Sequence, residues 1–143
     1  MTQTYDPDNI FGKILRGEAP CVKVYEDDVS LAFMDVMPRA DGHTLVIPKV
    51  PARNIIDLAP DDLARFIPSV QKVAKAVMTG LNAEGFILMQ FNEAPSGQQV
   101  FHLHFHVLPR WTGVELRPPN GPFQPAEALR PYADKIIAAL NAA

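Results

Sequence analysis

One stretch limits the folding choices of this chain more than any other: Phe101-His102-Leu103-His104-Phe105-His106-Val107 alternates apolar residues with histidine without a break. A strand sends successive side chains to opposite faces, so this period of two fits a half-buried strand and not a helix. Phe101, Leu103, Phe105 and Val107 then belong to a core face, while His102, His104 and His106 share the other face at about 6–7 Å per step. Three of the chain's 4 histidines fall in these five positions. Packing alone does not account for that density.

The 143 residues, 48% of them hydrophobic, are enough to fill one core. We read 1–143 as a single domain with its body at about 9–111 and a proline-rich loop and helix over 112–143. Residues 9–17 suit a short N-terminal helix ending at Gly17, and Val22 to Tyr25 reads as a strand followed by a turn at Asp27 and Asp28. Two more strands, Ser30 to Asp35 and Thr44 to Pro48, flank a loop holding Pro38, Asp41 and Gly42, which makes a three-stranded meander. From Pro60 to about Thr79, apolar residues recur at Leu63, Phe66, Ile67, Val70, Val73, Ala74, Val77 and Met78, the spacing of one face of a long helix. Pro60 opens it, Gly80 stops it, and Pro68 inside it predicts a kink. Gly85 to Phe91 and Val100 to Leu108 pair antiparallel across a loop, Asn92 to Gln99, that contains Pro95 and Gly97. Residues 117–125 are too rich in proline for regular structure, and Ala126 to Leu140 forms a terminal helix despite Pro131. The expected class is α+β: a five-stranded antiparallel sheet with one long amphipathic helix, a short N-terminal helix and a C-terminal helix.

A net charge of −3 argues against a general nucleic-acid binder, so a phosphate site has to be local. The single cysteine, Cys21, cannot close an intrachain disulfide, and the first residues, MTQTYDPDN, lack the basic-then-apolar pattern of a secretory signal. No apolar run approaches the roughly 20 residues that span a bilayer. These features set the expectation of a cytoplasmic protein with no membrane and no nucleic-acid partner.

Two chemistries use a face of adjacent imidazoles. Zinc chelation exploits His-x-His on a strand, with His43 available as a further ligand, although no cysteine pair or second histidine-rich segment accompanies it. Nucleophilic catalysis at phosphorus needs one neutral imidazole to attack while its neighbours bind oxygens and move protons.

The run His102-Leu103-His104-Phe105-His106-Val107-Leu108 matches the His-φ-His-φ-His-φ-φ signature (φ apolar) of the histidine triad (HIT) superfamily. Matching segments extend over about 100 residues: Asn9 to Leu15, Leu31 to Asp35, Gly42 to Lys49, and Asn92 with Gly97 and Gln98. The chain thus resembles the bacterial nucleotide-binding members of that family. The resemblance implies a homodimer that needs no cofactor and binds a purine nucleotide or nucleotide conjugate. It makes His104 the nucleophile that forms a nucleotidyl-imidazole, His106 the contact to phosphate and leaving group, His102 the residue orienting His104 through the backbone, and His43 a fourth imidazole near the leaving group. It makes Asp35 the acceptor for both ribose hydroxyls, places Ile10, Phe11, Phe33 and Val36 around the base, and gathers Asn92, Gly97, Gln98 and Gln99 around the phosphate. Histidine rather than glutamine at 106 favours the hydrolase branches: a nucleoside phosphoramidase or, as Leu108-Pro109-Arg110 also suggests, a dinucleoside polyphosphate hydrolase. A non-catalytic nucleotide sensor with the same pocket is the remaining class. Two departures stand out. Many relatives hold a structural zinc with a Cys-x-x-Cys at the positions of Asn9 and Gly12, a ligand at the position of Pro51, and the histidine at 102, and only His102 is kept here. Gln99 also replaces the usual small hydroxyl residue.

Overall fold

The computed structural model describes residues 4–142. Five strands, β1 (Lys23–Glu26), β2 (Ser30–Met34), β3 (Thr44–Pro48), β4 (Gly85–Met89) and β5 (Phe105–Arg110), make one antiparallel sheet in the order β1-β2-β3-β5-β4. Helix α1 (Ile10–Leu15) precedes the sheet, α2 (Pro60–Gly80) joins β3 to β4, and α3 (Ala126–Ala142) ends the chain. The expected α+β class and the meander of β1 to β3 are both present.

Alternation within the strands builds two layers. Ala32, Met34, Val46, Phe105 and Val107 face α2 and α3, where Phe66, Val70, Val73, Val77, Leu129, Ala133 and Ile136 complete the larger core. Leu31, Phe33, Leu45 and Ile47 face the opposite way, against Phe11 of α1. β2 and β3 are buried throughout because each has a core on both sides. β4 is the sheet edge, and its Phe86 and Leu88 stay exposed.

α2 ends at Gly80, where the sequence places its stop, with Leu81 as the C-cap. A Cβ on Gly80 would come within 2.7 Å of the Lys135 carbonyl oxygen on α3. Glycine is there to let two helices touch. Pro68 lies within the continuous helix. It is exposed, so the Ala64 carbonyl that loses its amide partner is open to water.

The larger correction concerns the histidine stretch, of which only Phe105 onward enters the sheet. β5 pairs with β3 at Phe105, His106 and Val107 and goes no further toward the N-terminus. Upstream, the Leu103 amide donates to the Ala52 carbonyl at 2.8 Å and the His102 ring takes the Pro48 carbonyl, so bonds outside the ladder replace it. Leu103, Phe105 and Val107 still reach the core. Phe101 does not: it is half-buried, with the Arg53 guanidinium 4.1 Å over its ring.

A polar lock joins the β1–β2 hairpin to α2. Asp27 Oδ1 accepts from the amides of Val29 (2.9 Å) and Ser30 (2.8 Å) and from the Ser30 hydroxyl (2.6 Å). Its Oδ2 accepts from Tyr25 Oη at 2.7 Å and from Ser69 Oγ of α2 at 2.9 Å. Burial works against the charge, but the hydrogen bonds from Ser30, Tyr25, Val29 and Ser69 outweigh it and hold the carboxyl below the usual carboxylate range. A depressed pKa contributes stability above the unfolded value of about 3.9, and that stability is lost as pH falls below it. Asp27→Ala is therefore expected to cost about 1.5–3 kcal/mol at neutral pH, and the difference from wild type should shrink in denaturant titrations taken below about pH 3.9.

Candidate active site

Leaving the ladder at Phe105 lets the chain turn back on itself, so that His104 Nδ1 meets the carbonyl oxygen of His102 at 2.7 Å. A carbonyl only accepts, which places the proton on Nδ1 and the free lone pair of His104 on Nε2. His102 is fully buried, its Nε2–H donating to the Pro48 carbonyl at 2.8 Å. Its Nδ1 must then accept, and the Tyr5 hydroxyl donates to it at 2.6 Å. The expected single row of three histidines is thus divided. His102 is structural in its contacts, and the open cluster consists of His104, His106 and His43.

Within that cluster the ring centroids of His104 and His106 lie 4.9 Å apart, and those of His43 and His106 lie 5.2 Å apart. Gly42, at φ +88°, turns the chain just ahead of His43, and a Cβ there would collide with Leu81 Cδ1. The Arg39 amide donates to His43 Nδ1 at 3.1 Å, so the His43 proton sits on Nε2, 3.0 Å from His106 Nδ1 and 3.4 Å from Asp35 Oδ2. His106 Nδ1 accepts in turn and keeps its own proton on Nε2. One backbone N–H thereby fixes the tautomers of two imidazoles.

Burial disfavours the charged form of all four. His43 and His102 are pushed down to about 4 and His106 to about 3, with neighbouring imidazoles and Arg39 adding to the effect at His106. His104 is lowered too, mainly by burial, against the opposing pull of its bond to the His102 carbonyl and of Asp35. At neutral pH the cluster is uncharged, the form in which an imidazole is a nucleophile.

Asp35, His43 and His106 bring one ligand atom each within 4.8 Å of one another. The Arg39 N–H opposes a cation there, since it holds the proton on the His43 nitrogen that the cation would need.

The apolar floor is smaller than expected. Phe11 meets Phe33 edge-on at 5.3 Å and His104 at 5.0 Å, and Ile10 lies exposed beside it. Val36 instead packs toward the α2/α3 core. Asp35 Oδ1 accepts from the Met37 amide at 2.8 Å. On the other flank, the loop from Asn92 to Gln99 contains a short 3-10 turn, Ala94–Ser96. Gln98 was expected among the phosphate contacts, yet its side chain is buried inward: Nε2 donates to the carbonyls of Arg53 (2.7 Å) and Val100 (3.1 Å), and Oε1 accepts from the Glu93 amide. Asn92 exchanges two hydrogen bonds with Gln90 and accepts from the Ile55 amide. Gln99 is exposed, and its backbone N–H has no acceptor among the described residues. Gly97 at φ +111° closes the loop.

Residues that carried no local signal brace this loop. Glu93, at an unusual φ of +73°, is gripped by Arg53 Nε and Nη2 at 2.9–3.1 Å and by Asn54 Nδ2 at 2.7 Å. Phe91 sets its ring 5.7 Å from that of His106. The C-terminal segment stitches the opposite loop through backbone bonds, Arg117 N–H to the Arg39 carbonyl and Gln124 N–H to the Val36 carbonyl, both 2.8 Å.

Residues 16–113 match the HIT domain. A solved structure of a Hit-like protein from Bartonella henselae, described as involved in cell-cycle regulation, is 52% identical, covers 95% of this chain and 99% of its own, and superposes with a TM-score of 0.88. The adenosine 5'-monophosphoramidase hnt1 of Schizosaccharomyces pombe is 39% identical over 121 residues, 82% of this chain and 88% of that protein. The adenylylsulfatase HINT3 of Arabidopsis thaliana is 35% identical over 122 residues, 81% of this chain but only 62% of that longer protein. The chain belongs to the HIT family.

Proposed function

We propose that this protein hydrolyses nucleotide conjugates at the α-phosphate by way of a nucleotidyl group carried on His104. The observation that supports this most directly is the 2.7 Å bond from His104 Nδ1–H to the His102 carbonyl, which leaves Nε2 free to attack. In the first step the Nε2 lone pair forms a bond to phosphorus and the bond from phosphorus to the leaving group breaks. The leaving group takes up a proton from solvent, with His106 Nε2–H holding it by a hydrogen bond as the bond breaks. In the second step water attacks phosphorus, gives a proton back to solvent and frees His104, so the sum is addition of one water across the scissile bond. Gln99 N–H and His106 supply donors where charge develops on the phosphoryl oxygens. Asp35 is the ribose acceptor, and Phe11 and Phe33 lie beneath a purine. The family relatives named as an adenosine 5'-monophosphoramidase and an adenylylsulfatase favour an adenylyl conjugate with an amine or an anionic leaving group.

We further propose a homodimer built on the β4 edge. An open edge strand with Phe86 and Leu88 exposed beside Ile67 of α2 is a surface that soluble proteins ordinarily cover.

His104→Ala should lower turnover of adenosine 5'-phosphoramidate by at least about 10⁴-fold, beyond the usual loss of an acid–base group, while adenosine monophosphate binding by calorimetry persists. Retention of a tenth of the activity would exclude attack by this residue.

The pH dependence has two parts. The imidazole pKa values lie below their unfolded value of about 6.5, so the unfolded chain gains protons first as pH falls. Stability should thus be complete above about pH 6.5 and decline toward pH 4 and then 3, where the folded cluster itself protonates. Over the same range kcat/KM should stay level from pH 8 through the ordinary imidazole value of about 6.5 and drop only below it, as read from buffered rate profiles.

Light scattering should return about twice the mass of one chain, and Leu88→Asp should return a monomer. A monomeric wild type at micromolar concentration would refute the β4 interface.

A further inference from the structure

The family's structural zinc does not fit this chain. Of the four positions that hold it in relatives, Pro51 has no donor atom and Gly12 no side chain. Asn9 is committed as the α1 N-cap, Oδ1 accepting from the Gly12 amide at 2.9 Å and Nδ2 donating to the Asp6 carbonyl at 2.7 Å. The N-terminal segment fills the space: a Cβ on Gly12 would lie 2.8 Å from the Pro7 oxygen and 3.3 Å from Tyr5 Oη. Only His102 could ligate, and both its ring nitrogens are already engaged.

What stands at His102 instead is the phenol of Tyr5. Its hydroxyl donates to Nδ1 at 2.6 Å, and the two rings meet edge-to-face at 5.5 Å. His102 belongs to a stretch outside the sheet ladder, so its position rests on the Leu103–Ala52 backbone bond and on the two bonds of its own ring. Its carbonyl, in turn, is the acceptor that aims His104. A chain of contacts therefore runs from Tyr5 Oη through the His102 ring and backbone to His104 Nδ1.

We propose that Tyr5 takes over at His102 the place a metal holds in other members of the family, and is a positioning residue for the His104 nucleophile. The proposal rests on His104 being that nucleophile. It gives Gly12 a part in the phenol's position, since a Cβ there would press on the Pro7 carbonyl at 2.8 Å and crowd the hydroxyl at 3.3 Å.

Tyr5→Phe removes the donor and keeps the ring. In the full-length protein it should lower kcat for adenosine 5'-phosphoramidate about tenfold, the effect of leaving one buried acceptor unpaired, with KM changed less than about twofold, as for an interaction that matters to the reaction and not to uniform binding. Imidazole ¹⁵N spectra should show the His102 Nδ1 resonance moving toward that of a free lone pair while Nε2 stays protonated. Gly12→Ala should reproduce the kcat loss without altering His102 itself. The proposal is overturned if Tyr5→Phe leaves both kcat and the Nδ1 resonance unchanged. It is also overturned if the wild type carries one zinc per chain whose removal abolishes activity. Should the wild type hydrolyse no conjugate, the functional reading fails by itself, and the ¹⁵N shift still decides whether Tyr5 holds His102.

Discussion

The His104–His102 contact is possible only because β5 begins at Phe105. Within a ladder the His102 carbonyl would be paired with a neighbouring strand or turned from its own face, and could not accept from a ring two residues on. The sheet therefore starts one residue after His104, and the stretch before it is held by other means: the Leu103 amide by the Ala52 carbonyl, the His102 ring by Pro48 and Tyr5, and the Phe101 ring by Arg53. A short irregular stretch becomes as fixed as a strand, with its acceptors redirected toward chemistry.

Proton placement follows from the same economy of partners. Carbonyls and one amide, none of which can change its role, dictate where the protons lie on His102, His104 and His43, and His43 dictates His106. No carboxylate is required to select a tautomer, and although Asp35 raises the values of His43 and His104, burial outweighs it and keeps both imidazoles neutral. Every fully buried side-chain nitrogen and oxygen among the described residues has a partner, which is what a low-dielectric pocket of four imidazoles demands.

Much of this was legible in the sequence. The strand pattern, the long helix and the meander carry their signals locally, in spacings of two and of 3.6 residues, and the histidine run announces its own chemistry. The end of β5 was not legible, because alternation continues unbroken through Phe101 while the partner strands give out. The resemblance placed Gln98 around the phosphate, but an amide with two donors and an acceptor is equally suited to bracing that loop from within, and the partners of its side chain lie on Arg53, Glu93 and Val100. Tyr5 carried no signal at all: it sits 97 residues from the ring it holds, and a lone tyrosine before a helix resembles any other. At Gly80 the end of the helix was legible, but its close approach to α3 was not, because that need arises from another helix.

The stitching of residues 36–39 by the C-terminal segment has a consequence of its own. The bonds from the Arg117 and Gln124 amides go to main-chain carbonyls, and such bonds are indifferent to the side chains on either partner, proline as donor excepted. The Arg117 side chain adds bonds of its own to the same loop, Nε to the Pro38 carbonyl at 3.0 Å and Nη1 and Nη2 to Asp41 Oδ1 at 3.2 and 3.1 Å. At 124 the side chain can therefore drift over evolutionary time, while at 117 the guanidinium is held as well as the backbone. Insertions or deletions that change the path of the tail shift the register of both amides. Selection on this part of the molecule should fall on its length and direction, and on residue identity at 117.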